Sequence, residues 1–327
     1  MATETELAEP TDPADLPADL PADLQAASSA APPAAAGPDL RVQAVLVAVQ
    51  VFFGIFHVVG KAVLAEMAPL ALAGIRALVA APLLMVLAWR IDRVLPRRRD
   101  LPMLALLGAL GVLANQVLFI EGLKRTTATN AAIIMVAIPV FAVAVGALLG
   151  IERLGMGRLA GVALSIAGAL ILLDPTRFTL GSDATLGNAL ILTNAFCYAA
   201  FLVLQRPILR RLPWRTVIAW AFLFGGGGVL LLAWPDLAAL PAAHLSRATW
   251  WGVAYIVLFP TAFAYAASTW AIRRSSPSLV AAYGTLQPLV TASLAAIFLG
   301  ERFGWPQGIG FTLIAAGLWR VSVRAAP

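Results

Sequence analysis

Long apolar runs dominate the chain, and within each run the apolar positions are continuous rather than alternating with polar ones. A bilayer core of about 30 Å is crossed by about 20 helical residues, whereas a transmembrane β-barrel requires apolar and polar positions to alternate. The pattern therefore predicts ten transmembrane helices. Nine runs lack any charge and one contains only Arg76; together they are 42–60, 68–89, 101–120, 126–151, 159–173, 184–205, 216–235, 248–272, 275–300 and 303–319.

An internal repeat relates the two halves of this pattern. Residues 125–168 align without a gap on residues 274–317, 149 positions later, and eleven of the 44 pairs are identical. The period is too long for one unit of a solenoid, so it indicates a duplicated half-protein. Five helices per half is an odd number, so the second half begins on the opposite face of the membrane. We therefore predict an all-α polytopic membrane protein with ten transmembrane helices arranged as a 5+5 inverted repeat.

Composition divides the chain into three segments. Residues 1–40 hold eight of the 17 acidic residues and a low-complexity run rich in Pro and Ala. Such a segment cannot bury enough apolar surface to offset chain entropy, so it is predicted to be a disordered acidic cytoplasmic tail. Residues 41–174 are predicted to form the first five-helix repeat, and residues 184–324 the second.

Charge indicates the surroundings and direction of the helices. Only 12% of the 327 residues are charged and the mean hydropathy is +0.86. Soluble domains carry about 25% charged residues, so the lipid bilayer is the expected partner. With the N-terminus inside, 16 of the 23 Lys and Arg residues fall in cytoplasmic segments and six on the opposite face. This excess predicts cytoplasmic N- and C-termini in the cytoplasmic (inner) membrane. Because the bases lie in short loops between apolar runs, no nucleic-acid partner is expected.

Residues that support enzymatic or metal chemistry are scarce. Cys197 is the only cysteine, and His57 and His244 are the only histidines. The sequence contains no motif with the spacing of a zinc site or of a Ser-His-acid set. The chain is therefore predicted not to be an enzyme, and no cofactor or metal is expected.

Short motifs near the ends of the runs carry a family resemblance. They are FHVVGK at 56–61, TTATNAA at 126–132, GIERL at 150–154 and LGERF at 299–303. These motifs, with the ten runs and the inverted halves, resemble the EamA family of the drug/metabolite transporter superfamily over about residues 42–320. The resemblance implies a central cavity among helices 1–4 and 6–9, with helices 5 and 10 at the periphery. It also implies export of amino acids or other small metabolites.

Two ionisable residues within the runs are candidates for substrate binding. Arg76 is energetically unfavourable within a bilayer, since inserting an arginine at the centre of a helix costs about 2.5–3.5 kcal/mol on insertion scales. It is predicted either to bind a substrate carboxylate or to snorkel to headgroups and cap free carbonyls. His57 is the only histidine inside a run. It is predicted to be a substrate or proton-relay residue, or else a simple hydrogen-bonding residue between helices.

Polar side chains inside the other runs provide the rest of the predicted cavity. Asn194 and Tyr198 share a helix face at a spacing of four. Buried polar groups need partners, so bonding between neighbouring helices is the alternative role for each of them. The predicted substrate-binding set comprises His57, Arg76, Asn115, Asn194, Tyr198, Thr261, Tyr265, Tyr283 and Gln287.

Repeated residues are predicted to form hinges and scaffold. Pro139 and Pro288 remove a backbone donor near the middle of helices 4 and 9, which predicts either a functional kink or a static bend. The pairs Glu152-Arg153 and Glu301-Arg302 at the ends of these helices are predicted to hold the following turns. Small residues at a spacing of about four along helix 5 favour close packing against helix 4 or a partner subunit. A homodimer is therefore one possible assembly.

These observations favour a secondary transporter that exports amino acids or other small polar metabolites by alternating access. One alternative is a lipid or lipid-linked sugar carrier, and another is an integral-membrane scaffold or an enzyme without a recognisable motif. No carboxylate lies in the middle of a run, although proton-driven exporters commonly carry a buried acidic relay. Transport is therefore expected to be uncoupled, or to depend on His57 as the only titratable relay.

Overall fold

The computed structural model describes residues 39–152, 155–173, 182–290 and 305–323, and within them every regular element is helical. Within these ranges ten helices, α1 to α10, follow one another along the chain. Their bounds are α1 Leu40–Glu66, α2 Pro69–Ile91, α3 Arg98–Arg125, α4 Ala128–Met135 continued by Ile138–Leu148, α5 Met156–Leu173, α6 Ser182–Leu209, α7 Trp214–Ala238, α8 Arg247–Arg274, α9 from Pro277 to the last described residue at 290, and α10 Trp305–Val323.

Seven of these helices are long and apolar enough to cross a membrane, namely α1 to α4 and α6 to α8. The apolar helices α5 and α10 are shorter, and α9 is described only in part. Many large apolar side chains point outward, among them Leu231, Trp234 and Trp251. A soluble protein would bury such residues, whereas lipid covers them in a bilayer. The predicted fold class is confirmed: ten helices of an all-α polytopic membrane protein.

The contact between α5 and α10 reveals the two-fold relation of the halves. A side chain at Gly161 would lie 2.9 Å from the Gly317 carbonyl, and one at Gly168 would lie 2.6 Å from the Gly310 carbonyl. The 149-residue offset converts the first pair into the second. Only antiparallel helices related by a two-fold axis give such reciprocal contacts, so the repeat is inverted. Gly161 and Gly168 of α5 therefore pack on α10, a contact that the sequence analysis did not anticipate.

Both helices that contain a repeated proline are interrupted just before it. The first part of α4 ends at Met135, and Pro139 occupies the first turn of the second part. In α9 a 3-10 turn, Gly284–Leu286, precedes Pro288. Proline fits the first turn of a helix because the donor it lacks would have no partner there. The two helices are thus interrupted at equivalent positions of the repeats, and a hinge role for Pro139 and Pro288 stays a prediction.

Helices α3 and α8 each contain a π-helical segment that the sequence analysis did not anticipate. The segments are Ala109–Ala114 and Val257–Phe263, which occupy equivalent positions of the two repeats. Such segments widen a helix by one residue per turn and are frequent at functional sites. Pro260 is a signal for the second segment, but no proline lies in the first.

Two basic side chains cap the carboxyl ends of α3 and α8, one side chain at each helix. Lys61 Nζ donates to the carbonyls of Leu123 and Thr126, each at 2.7 Å. Arg206 donates to the carbonyls of Ile272, at 2.6 Å, and Ser275. These acceptors are equivalent in the repeat, so the two cations perform one duplicated function. Cations near a helix C-terminus satisfy free carbonyls and interact favourably with the helix dipole. Lys61 is therefore a scaffold residue rather than a recognition group for substrate.

Glu152 contacts the beginning of α9, and its predicted role with Arg153 in the turn after α4 stays a prediction. Ser278, in the first turn of α9, donates its hydroxyl to the Glu152 carboxylate, and its backbone N–H lies 3.5 Å from the second carboxylate oxygen. A carboxylate at a helix N-terminus is stabilised by the free N–H groups and the dipole there. Arg153, Glu301 and Arg302 lie outside the described residues, as does almost all of the tail 1–40.

Candidate functional site

A central pocket lies between the two halves of the bundle and encloses about 460 Å³ of empty space, part of it open to solvent. Helices α1 to α4, α6, α8 and α9 contribute to its wall. The lining residues are Phe53, Phe56, His57, Arg76, Asn115, Phe119, Met135, Ile138, Asn194, Tyr198, Tyr265 and Gln287. Small-molecule sites typically combine apolar walls with a few polar groups, and this lining does so as well.

The structure brings seven of the nine predicted substrate-binding residues together in this lining. They are His57, Arg76, Asn115, Asn194, Tyr198, Tyr265 and Gln287. Thr261 lies behind the lining, in contact with Arg76. Tyr283 is buried in the core of the bundle and is not part of the lining. That these side chains bind substrate stays a prediction, but their convergence provides the site with defined chemistry.

Arg76 is the cationic group of the pocket, and only 2% of it is exposed. Its Nε donates to Thr261 Oγ1 at 2.9 Å, and its guanidinium carbon lies 5.1 Å from the centre of the Phe56 ring. Its Nη1 has no hydrogen-bond partner among the described residues. The ring face and the hydroxyl stabilise the charge without neutralising it. The Nη1 group thus remains able to donate a hydrogen bond to a molecule in the pocket.

Thr261 connects this arginine to the π-helical segment of α8. Its hydroxyl accepts from Arg76 and donates to the Ile256 carbonyl, five residues earlier, at 2.6 Å. The segment therefore positions the guanidinium through one fully buried side chain. Since a rearrangement of the segment displaces the hydroxyl, the orientation of Arg76 depends on the backbone state of α8.

We predict that Thr261→Val raises the half-saturation concentration for an anionic ligand of the pocket about five- to tenfold. One lost hydrogen bond amounts to about 0.5–1.5 kcal/mol, and 1.4 kcal/mol is a factor of ten. Thr269→Val is the matched control, because Thr269 is equally buried on α8 but donates only to the Tyr265 carbonyl of its own helix. Equal half-saturation constants for the two variants would contradict a positioning role of Thr261.

Three polar side chains form a second group on the wall. Tyr265 donates its hydroxyl to the side-chain oxygen of Asn115, and Asn194 donates to the Asn115 backbone carbonyl at 2.6 Å. The side-chain oxygen of Asn194 is buried and has no partner among the described residues. A buried acceptor without a partner is unfavourable, so this oxygen is available to a donor from a bound molecule.

His57 contacts its own helix and the aromatic wall. Its Nδ1 lies 2.8 Å from the Phe53 carbonyl, and its ring meets Phe119 edge to face at 5.7 Å. The carbonyl fixes a proton on Nδ1, which leaves Nε2 as an acceptor in the neutral ring. That Nε2 is buried and has no partner within the described part of the chain. His57 is thus placed to receive a donor from the pocket.

The apolar part of the lining could not be recognised from the sequence. Phe53, Phe56, Phe119, Met135 and Ile138 are five of many similar residues in the runs. Polar residues stand out against an apolar background, whereas an aromatic residue facing a cavity has the same signature as one facing lipid. Met135 and Ile138 flank the break of α4, so the proline at 139 is an indirect signal for them.

Trp270 differs from its counterpart in the repeat, Glu121, but its role in the structure is not the one that this difference suggests. The sequence places it at the repeat position of Glu121, an asymmetry that favours substrate chemistry. In the structure Arg274 lies 4.4 Å above the Trp270 ring, while Arg125 pairs with Glu121 at the same spacing of four. Both arrangements hold an arginine at a helix end, so Trp270 is a scaffold residue outside the pocket lining.

The groups that line the pocket offer the chemistry of a binding site. No group of three metal-ligating side chains occurs within the described residues. The polar groups supply one fixed cation, several neutral donors and acceptors, and aromatic faces. Such a set can orient a small organic molecule with a polar head and an apolar body.

Comparisons with known proteins agree with this architecture. The family model of EamA-like transporters matches residues 41–174 and again residues 185–323. Protein WALLS ARE THIN 1 of Arabidopsis thaliana is 28% identical, covering 86% of this chain and 82% of that protein. A probable amino-acid metabolite efflux pump of Salmonella typhimurium is 30% identical, covering 83% and 91%. A crystal structure with 16% identity superposes with a TM-score of 0.69 over 87% of this chain and 98% of the other, which shows a shared fold. The chain therefore belongs to the EamA-like transporter family and is an integral membrane transporter.

Proposed function

We propose that the protein is a secondary transporter that exports amino acids or other small polar metabolites across the cytoplasmic (inner) membrane by alternating access. The observation that carries this proposal is the pocket itself, in which a buried, incompletely bonded arginine faces aromatic walls between two inverted halves. Inverted repeats provide the two equivalent arrangements, open to either side, that alternating access requires. In this proposal the halves are residues 41–174 and 184–324, and both chain termini lie in the cytoplasm.

Two further observations support export of a small solute. The name of the Salmonella typhimurium relative describes efflux of amino-acid metabolites. The interruptions of α4 and α9 lie at the level of the pocket, because Met135, Ile138 and Gln287 are lining residues. Helices broken beside a bound solute allow one half to rock against the other while the site stays in place.

The proposal is tested by uptake of labelled amino acids and carboxylates into proteoliposomes that contain the purified full chain. We expect uptake in the wild type and an at least tenfold reduction in Asn194→Leu, which removes the free acceptor and the bond to α3. Thr193→Val is the matched control, because Thr193 is exposed on the adjacent position of α6. Absence of uptake for every solute, with a folded and monodisperse wild type, would contradict the transporter mechanism proposed for this pocket.

A further inference from the structure

The positive charge of Arg76 has no counter-ion among the described residues. In the sequence, acidic residues occur only near helix ends and in loops: no Asp or Glu lies between Asp100 and Glu121, between Asp183 and Asp236, or between Asp236 and Glu301. The last of these stretches includes residues 291–300, which lie outside the described residues. A buried charge is unfavourable unless it is paired, so the described residues leave Arg76 to be completed by an anion.

Five acidic residues near helix ends bind other groups of the protein. Asp92 binds Arg215 at 2.9 Å, Asp100 lies 3.4 Å from Arg211, and Glu121 pairs with Arg125. The carboxylate of Glu66 accepts from the backbone and hydroxyl of Ser246, each at 3.0 Å, and Glu152 accepts from Ser278. None of these five carboxylates is available to neutralise Arg76, and none lines the pocket.

None of the described residues that line the pocket carries a carboxylate that could pair with a substrate ammonium group. A zwitterionic amino acid would place its carboxylate on Arg76 and its ammonium against neutral oxygens such as Asn194 Oδ1. Neutral acceptors compensate for the desolvation of an ammonium group far less than a carboxylate does. The pocket thus favours a molecule that has the carboxylate and lacks the ammonium, with an apolar body against Phe53, Phe56 and Phe119.

We infer that the pocket selects monoanionic carboxylates with an apolar or aromatic body, and that these cross the membrane as a net negative charge. The inference rests on the proposed transport function, narrows its substrates from amino acids and small metabolites in general to carboxylates without an ammonium group, and specifies the driving force. A cell interior that is electrically negative drives anions outward. No acidic proton relay is then needed, which agrees with the absence of a carboxylate from the middle of every apolar run of the sequence.

The first test uses three molecules with one carbon skeleton and different charge. In proteoliposomes, 3-phenylpropionate, phenylalanine and phenethylamine are compared as substrates and competitors. We expect 3-phenylpropionate to compete at least tenfold better than phenylalanine, and phenethylamine not to compete. In Arg76→Gln this discrimination should collapse, whereas Arg76→Lys should retain its order because the charge is retained. Phenylalanine that competes equally with 3-phenylpropionate would overturn the inference.

The second test imposes a membrane potential with a potassium gradient and valinomycin. For transport of one net charge, the equilibrium ratio of 3-phenylpropionate across the membrane should change about tenfold for every ~59 mV. Phenylalanine flux that is robust and independent of the potential would overturn the inference while leaving the transporter function intact. Failure of all three probes and of the amino-acid panel would instead count against the proposed function itself.

Discussion

Replacing Arg76 by Gln should reduce carboxylate flux about 10- to 100-fold while the protein still folds. Hydrogen bonds that involve a charged group contribute about 1.5–3 kcal/mol, and 1.4 kcal/mol corresponds to a factor of ten. The glutamine amide would still be able to donate to Thr261, but it would lack the charge that faces the pocket. The measurement is the initial rate of uptake into proteoliposomes at substrate concentrations below half-saturation.

Stability measurements separate loss of binding from loss of fold. The wild-type arginine is buried and carries no ion pair with a described residue, so its neutral replacement should leave the melting temperature in detergent unchanged or higher. Arg76→Lys retains the charge but cannot reproduce the planar fork, and its flux should lie between those of Arg76→Gln and the wild type. A wild-type rate in folded Arg76→Gln would show that the guanidinium has only a structural role.

The polar half of the site could be predicted from the sequence because a polar side chain within an apolar run is unfavourable unless it has a bonding partner or a function. Arg76, Asn194 and Gln287 were identifiable in this way, and the structure places all three in one lining. The two-fold relation could also be predicted. Because each half has an odd number of helices, the second half must begin on the opposite face of the membrane, which makes the duplication an inverted repeat. These inferences depend on residue type and order alone, and neither requires knowledge of how the helices pack.

Features that depend on packing could not be predicted. Lys61 has the same sequence signature as a substrate-binding cation, yet its ammonium is occupied by the carbonyls that end α3. The π-helical segment Ala109–Ala114 contains only residues common in ordinary helices. Its presence reflects how α3 fits against its neighbours, and no local pattern encodes that fit.

The two repeats use one contact for different purposes. In one half, Arg76 of α2 meets Thr261 in the π-helical segment of α8. The residues at the same repeat positions are Gly225 of α7 and Val112 in the π-helical segment of α3. A side chain at Gly225 would lie 2.6 Å from Val112 Cβ. The duplicated contact is thus a polar hydrogen bond beside the pocket in one half and a tight apolar packing contact in the other.

Gly225→Ala should therefore lower the free energy of unfolding by about 1–3 kcal/mol, the usual range for overpacking a tight core. The added methyl group would also lie 2.7 Å from the Gly108 carbonyl carbon, and a backbone atom cannot rotate away as a side chain does. The expected result is a lower melting temperature in detergent, because α7 must separate from α3 to accommodate the new group.

Gly227→Ala on the same helix provides the matched control. A side chain there would meet nothing within 4 Å, so only the helix propensity changes, which favours Ala by about 1 kcal/mol. The two variants should thus shift the melting temperature in opposite directions although they make the same chemical change two residues apart. Equal shifts would mean that the close approach of α3 and α7 does not limit stability. If Gly225→Ala also impairs flux while Arg76 is intact, the packing of α3 against α7 takes part in the transport cycle as well as in the fold.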